Sequence, residues 1–147
     1  MKALLNAIKQ KLINKIADVQ GRVYVVPSRE IAPNDAKFPF ICLQDNGTER
    51  FELPRQNKEE LRVAIHIFQE VFETEVAIMG NSIRKGVLDL ADTIITTLKD
   101  DPLGFEDIFR VNITRLSPTE VFFESASKGF AVIKTIEISY WRLTYET

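Results

Sequence analysis

The chain has 147 residues, of which 45% are hydrophobic and 27% charged, and this ordinary globular balance excludes a disordered or fibrous protein. Its 19 basic and 21 acidic residues give a net charge of −2, which excludes the basic surface of a tight nucleic-acid binder. Lysines interrupt the N-terminal segment and no stretch approaches the roughly 20 apolar residues of a membrane span, so neither a signal peptide nor a transmembrane helix is predicted. One domain over residues 1–147 is expected.

The first predicted element is an amphipathic helix. Apolar residues recur every three or four positions from Leu4 to Val19, with lysines between them. The helix is predicted to end at Gly21, because glycine accepts the left-handed conformation that closes many helices. A strand over residues 22–26 and a proline-bearing loop over residues 27–38 follow.

A short buried strand is predicted next, over residues 39–44. It contains the only cysteine, Cys42, in an apolar run, which predicts a buried thiol without a disulfide partner. The Asp-Asn-Gly tripeptide at 45–47 predicts a turn, because Asn and Gly tolerate positive φ. The polar segment 48–60 contains a proline and is predicted to be an extended loop or arm.

The clearest strand is predicted over residues 61–68, where apolar residues alternate with others. The only histidine, His66, lies in this strand and is predicted to face a half-solvated side of the sheet. A second amphipathic helix is predicted from residues 81–82 onward, because apolar residues from Ile83 to Leu98 keep helical spacing, and residues 76–79 could extend it toward the N-terminus.

The last third of the chain is predicted to be β-structure. Strands are expected at residues 109–114, 121–123 and 130–145, with turns at 117–119 and 125–129. The final strand exceeds the usual strand length and its alternation changes phase at residues 139–140, so a bend or bulge is predicted there.

These elements together predict an α+β fold. Turns of the hairpin type dominate between the strands, so the sheet is expected to be mostly antiparallel. The two amphipathic α-helices would pack against it, which gives a two-layer architecture.

A catalytic site is not predicted. His66 is the only side chain that titrates near neutral pH, and one histidine with one cysteine cannot form a zinc site of Cys and His ligands. The six glycines are scattered singly, so neither a phosphate-binding loop nor a dinucleotide-binding motif is present. The sequence therefore predicts a non-enzymatic protein without a cofactor or metal. A small enzyme or ligand-binding module that uses His66 is the alternative.

Aromatic and arginine residues indicate candidate protein contacts. Adjacent strand residues face opposite sides, so Phe122 and Phe123 are both buried only when both sheet faces are covered, by the chain itself or by another subunit. The segment 48–60 combines apolar anchors with a charged rim, although an ordinary surface loop has the same composition. The predicted interface residues are Arg50, Phe51, Leu53, Arg55, Phe122, Phe123, Trp141 and Tyr145.

The order of these features resembles the tail-terminator and tail-completion proteins of tailed bacteriophages. The features are the opening helix, the Phe-Pro-Phe-Ile segment at 38–41 after a proline-bearing loop, the tripeptide at 45–47, the alternating strand at 61–67, the helix at 83–98 and the closing strands. The resemblance covers nearly the whole chain and rests on element order and length. It implies a homo-oligomeric ring, usually a hexamer, that caps the finished tail tube, stops its polymerisation and joins the tail to the head.

The resemblance also implies partners and a location. The partners would be further copies of the chain, the tail tube protein and a head-side connector or stopper protein, with DNA only passing through the lumen and no membrane involved. The protein would be made in the bacterial host cytoplasm and end in the tail or neck of the virion. An acidic pI suits a lumen that DNA must cross, since positive charge would hold phosphates.

Two expectations about assembly remain open at the level of sequence. Another neck component, such as a connector, stopper or adaptor, is the alternative within the same class. In a ring the contact between neighbours joins two different patches. The arm at residues 50–55 is therefore predicted to meet the sheet face of the next subunit that carries Phe122 or Trp141.

Overall fold

The computed structural model describes residues 1–33, 35–71, 73–125 and 129–145, and for residues 123–125, 129, 130 and 145 it describes the backbone only. Within these residues the helices are α1 (Lys2–Lys15), α2 (Thr74–Met79) and α3 (Val87–Leu98). The strands are β1 (Val23–Val25), β2 (Phe40–Leu53), β3 (Gln56–Val71), β4 (Ile108–Leu116), β5 (Glu120–Ser125) and β6 (Gly129–Tyr145). Single turns of 3-10 helix lie at Ala17–Val19 and Arg29–Ile31.

The strands form one mixed sheet in the order β1, β2, β3, β6, β4. β1 is parallel to β2, and all other neighbouring strands are antiparallel. β4 and β5 both pair with the side of β6 that faces away from β3, so they form one interrupted edge strand. The predicted α+β class, with a mostly antiparallel sheet and a helical layer, is confirmed, with three α-helices among the described residues where two were predicted.

The main hydrophobic core lies between the helices and one face of the sheet. Alternate residues of β3 point into it, and burial of each such side chain contributes roughly 1.5–3 kcal/mol. α1 and α3 cover these residues with the apolar stripes that their helical spacing predicts. The buried residues from β3 and the two helices are Leu61, Val63, Ile65, Ile67, Leu4, Leu5, Ile8, Leu12, Val87, Leu90, Ala91, Ile94 and Leu98.

The other face of the sheet is covered at one end by residues 27–33 and 35–38, which we call the covering segment. Arg22 fixes this segment, because its guanidinium donates to the carbonyl oxygens of Phe38 and Pro39 at 3.3 and 3.1 Å. The apolar cluster under it contains Val26, Phe40, Cys42, Phe68 and Ile133. Cys42 is fully buried, as predicted, and burial raises the pKa of its thiol to about 12.

The other strand predictions are confirmed. Residues 22–26 contain β1, residues 39–44 contain the start of β2, residues 61–68 lie in β3, and the three C-terminal strands correspond to β4, β5 and β6. Most of the predicted turn at 125–129 lies outside the described residues.

Residues 48–60, predicted to be a loop or arm, form the outer part of a β-hairpin instead. β2 runs to Leu53 and β3 begins at Gln56, so the chain reverses through Pro54 and Arg55. Arg55 has a φ of 70°, and a proline followed by a residue with positive φ is the pattern of a type II turn. The composition of these strands is polar because most of their side chains lie outside the main core.

The Asp-Asn-Gly tripeptide at 45–47 does not reverse the chain, contrary to the prediction. It lies within β2, and the pairing with β3 shifts between Asp45 and Thr48. Gly47 has a φ of 100°, and its N–H donates to the Asp45 carboxylate at 2.9 Å. The conformational freedom that favours a turn here produces a bulge within a strand.

The predicted second helix is divided, and its predicted start is wrong. α2 stops at Gly80, and α3 follows a turn that contains Ile83, whose side chain is 94% exposed. Gly80 has a φ of 76°, and a Cβ there would lie 2.1 Å from Oδ2 of Asp89. Asn81 Oδ1 accepts the N–H groups of Ile83 and Arg84, and this stabilises a turn in place of the expected helix start.

A bend or bulge was predicted at residues 139–140 of β6, and the pairing of β6 with β3 shows no bulge there, since it is continuous. The irregularities lie in the edge strands that face β6, at Phe109 and Thr114 in β4 and at Phe122 in β5. Residues 117–119 do not reverse the chain, because β4 and β5 pair with the same side of β6. The irregular pairing is confined to the edge strands β4 and β5, so β6 stays regular where it pairs with β3.

Tyr140 supplies a test of the core. Its ring is fully buried beside Leu61, and among the described residues its hydroxyl has no hydrogen-bond partner. Because an unpaired buried hydroxyl is destabilising, Tyr140→Phe is expected to raise the free energy of unfolding by about 1 kcal/mol in a urea titration. Tyr24→Phe, at a half-buried ring, is the control and is expected to change it little. A loss of stability in Tyr140→Phe would show that the hydroxyl has a stabilising contact.

Candidate interaction surface

The exposed end of the second sheet face is the surface best suited to contact with another protein. It lies opposite the helices and is formed by the β2–β3 hairpin, the end of β6 and the start of β4. We call this surface the open face. Its residues are Glu49, Phe51, Leu53, Lys58, Glu60, Arg62, Phe109, Arg110, Trp141 and Leu143.

The apolar residues of the open face pack against one another. Phe51 stacks on Trp141 with ring centroids 5.6 Å apart, and the Lys58 ammonium lies 5.8 Å from the centroid of Phe109. The side chains of Phe51, Leu53 and Phe109 nevertheless remain 37%, 38% and 49% exposed. Grouped aromatic and aliphatic side chains that stay in contact with water are typical of protein interaction sites.

An ion cluster borders these apolar residues. The Arg62 guanidinium lies 2.5 Å from carboxylate oxygens of both Glu49 and Glu60. The hydrogen bond to Glu60, and to a smaller extent the one to Glu49, raises the pKa of Arg62. Two carboxylates and one guanidinium leave the cluster with one net negative charge, so it can attract a further cation.

A second ion cluster lies on the opposite side of the same hairpin. The largely buried carboxylate of Glu59 contacts Arg142 and, at 3.2 Å, Arg50. The hydrogen bond from Arg142 lowers the pKa of Glu59, although partial burial opposes this effect. Arg50 therefore lies on the other side of β2 from Phe51, and the predicted interface residues are divided between two surfaces.

Three predicted interface residues, Phe51, Leu53 and Trp141, do lie together on the open face. Arg55 is at the tip of the hairpin, in the turn. Phe51 of the predicted arm stacks on Trp141 of the same chain, and a contact of the arm with Trp141 of the next subunit stays a prediction. The hairpin thus presents both residues as one preformed patch.

The remaining predicted interface residues lie elsewhere. Phe122 is at the far end of the sheet, edge-on to Phe68 at 4.8 Å, against the cluster beneath the covering segment. The chain itself therefore covers this part of the second face. The side chains of Phe123 and Tyr145 lie outside the described residues.

Sequence reasoning missed part of the open face. Phe109 reaches this face because of the irregular pairing of β4, which leaves no periodic signal in the sequence. The signal for Arg62 was present, since it belongs to the alternation of residues 61–68 and must face away from Leu61. Its two acidic partners come from the segment 48–60 that was predicted to be a loop.

His66 lies on the same sheet face, between the open face and the cluster under the covering segment. Its side chain is 4% exposed, so the prediction of a half-solvated position is wrong. Nε2–H donates to Oε1 of Gln44 at 2.7 Å, and Nδ1 accepts the hydroxyl proton of Thr135 at 2.8 Å. Both ring nitrogens are hydrogen-bonded. Desolvation, and to a smaller extent the charge of Arg29, lowers the pKa of His66 to about 4.

His66 also contributes to an open cleft of about 210 Å³. Charged side chains of both signs line this cleft, and Arg29 pairs across it with Glu120 at 3.3 Å. The other lining residues are Arg115, Ser117, Thr135 and Glu137. In the part of the chain that the structure describes, no group of three or more His, Cys, Asp or Glu side chains is arranged to hold a metal ion.

Comparison with known proteins gives no assignment. No protein-family model and no curated protein matches the chain. Among the described helices, none is both long and apolar enough to cross a membrane.

The burial of His66 predicts a pH dependence of stability. The pKa is about 4 in the folded chain against an ordinary value of 6.5, so the unfolded chain binds more protons between these pH values. The His66 contribution is fully present above pH 6.5 and falls as the pH drops toward 4, by up to about 3 kcal/mol. Urea titrations at several pH values in this window are expected to show a shallower loss for His66→Gln than for the natural chain. Equal pH dependence of the two proteins would contradict the assignment.

Proposed function

We propose that the chain is the subunit of an oligomeric ring that terminates a bacteriophage tail tube and joins it to the head-side connector. The role in the tail follows from the resemblance in element order and length. The assembly part of the proposal is supported by one observation above all, the exposed and internally packed apolar patch of the open face.

The position of this patch suits a contact made by rigid surfaces. Phe51, Leu53 and Trp141 project from paired strands, and the ion clusters around Arg62 and Glu59 fix the same strands on both sides. A contact surface that is ordered before binding loses little conformational entropy when the partner arrives. Such a surface is well suited to docking on the end of a preformed tube.

The chemistry of His66 favours assembly over catalysis. A general base needs a nitrogen within hydrogen-bond reach of its substrate and a pKa near the working pH. Both nitrogens of His66 are occupied by Gln44 and Thr135, and burial holds the pKa far below neutrality. These contacts support a structural role for the histidine, and we propose that the protein is not an enzyme.

The open face is proposed as the surface that meets the tail tube protein. Adding the purified chain to polymerising tube protein is expected to shorten the tubes in negative-stain images, because capped ends cannot grow. Light scattering after size exclusion should also give the mass of a closed ring across a dilution series. Unchanged tube lengths would refute the terminator role.

Substitutions on the open face test where the tube binds. Leu53→Ser with Phe109→Ser removes two exposed apolar side chains and is expected to reduce capping by about tenfold or more, since interface anchors contribute above 1 kcal/mol each. Ile31→Ser with Val121→Ser is the matched control, because those side chains are 63% and 68% exposed and lie outside the open face. Equal capping by both double variants would place the contact elsewhere.

A further inference from the structure

We propose that neighbouring copies of this chain join edge to edge, with the outer part of β2 in one protomer pairing antiparallel to β4 in the next and Glu49 meeting Arg110. This inference rests on the proposed ring and names the surfaces that build it. The occupant of each edge is a second copy of the same chain.

Within the described residues, both edges of the sheet are open. β1 pairs with β2 only at residues 41–43, so the outer part of β2, residues 44–53, has β3 as its single strand neighbour among the described residues. At the opposite edge of the sheet, β4 pairs only with β6 among the described residues. Unpaired strand edges of this length present free backbone donors and acceptors to another strand.

The two edges contribute residues to the same rows of cross-strand partners. Pairing across the strands places Thr48, Leu61, Tyr140 and Val111 in one row. In the next row, Glu49 is at one edge and Arg110 is at the other, separated by Glu60 and Trp141. A neighbouring copy that continues the sheet at the same level therefore brings Glu49 next to Arg110.

The strand directions are also compatible. β2, β3, β6 and β4 are successively antiparallel, so β2 and β4 run in opposite directions. A neighbour in the same orientation thus adds its β2 antiparallel to β4, and the hydrogen-bond pattern inside the chain continues across the joint. The contact joins two different edges, and such heterologous contacts generate rings when the rotation between subunits closes.

The charges of the two edges are complementary. Residues 45–53 contain three acids and one arginine, a net charge of −2, whereas residues 108–116 contain two arginines and no acid, a net charge of +2. The cluster of Arg62 with its two glutamates carries one uncompensated negative charge at the level of Arg110. Arg110 itself donates to the neutral side chain of Asn112 at 3.2 Å. Complementary charges of this kind determine which edges meet and in which register.

The apolar patch supports the same arrangement. Phe51 and Leu53 belong to the β2 edge and Phe109 to the β4 edge, and all three remain partly exposed. When the edges meet, Phe51 of one protomer and Phe109 of the next come to adjoining strands on the same face. The open faces of all subunits would then form one continuous apolar band around the ring.

Cysteine crosslinking tests the pairing directly. Glu49→Cys with Arg110→Cys in one chain is expected to give a ladder of covalent oligomers under mild oxidation that ends at the size of the ring. An equimolar mixture of the two single variants is the control and should stop at dimers, because each of its chains carries one new thiol. Cys42 will not interfere, since it is fully buried and burial raises the pKa of its thiol to about 12.

Charge reversal supplies a second measurement. Arg110→Glu with Arg115→Glu is expected to raise the dissociation constant of the oligomer by about tenfold or more in light scattering. Lys2→Glu with Lys15→Glu changes the net charge equally at exposed positions of α1 and should leave it unchanged.

The outcomes separate this inference from the proposed function. A ring in light scattering with no ladder, and with equal effects of the two charge-reversed variants, overturns the edge pairing and leaves the ring intact. A ladder together with unchanged tube lengths supports the edge pairing and refutes the terminator role. If a ladder forms neither in solution nor on tube ends, the edge pairing is overturned.

Discussion

The continuous pairing of β3 with β6 is the constraint on which the rest of the structure depends. Residues 56–71 and 130–145 pair without a bulge, and every other strand except β1 is attached to one of these two. One face of this central pair carries the aliphatic residues that the helices bury. The opposite face carries, from one end to the other, the cluster under the covering segment, the hydrogen-bonded His66 and the open face. On this face, the long regular pair thus places the apolar cluster, His66 and the open face one after another along its length.

Periodicity predicted the parts of this fold that face the main core. The alternation of residues 61–68 and the helical spacing of α1 and of the last turns of α3 each report burial on one side of an element. The α+β class and the strands of the last third followed from these patterns. The sequence could not predict β2 beyond residue 44, because no main core lies beneath residues 45–53 and most of their side chains are polar. The tripeptide at 45–47 also predicted a turn, but in the structure it forms a bulge within β2.

The candidate site was predictable only in part, for the same reason. Phe51, Leu53 and Trp141 were identified by residue type, since aromatic and aliphatic residues in a polar segment need a contact of some kind. Their proximity within one chain depends on a hairpin where the sequence predicts a loop, so the stacking of Phe51 on Trp141 was not predicted. Phe109 depends on an irregularity of edge pairing, which residue type does not encode. The environment of His66 arises from Gln44 and Thr135, two side chains far apart in sequence that meet only through strand pairing.

In β3 and β6 the main core ends at the row of Leu61 and Tyr140, and beyond it the hairpin is held on the helix side by ion pairs around Glu59. Ion pairs near the surface are weaker than apolar burial and are screened by salt. The outer hairpin is therefore expected to exchange its amide hydrogens faster than the centre of the sheet, as a separate opening unit. Such openings are local and transient, so the helix-covered half stays folded and the closed hairpin presents its patch in the ordered form.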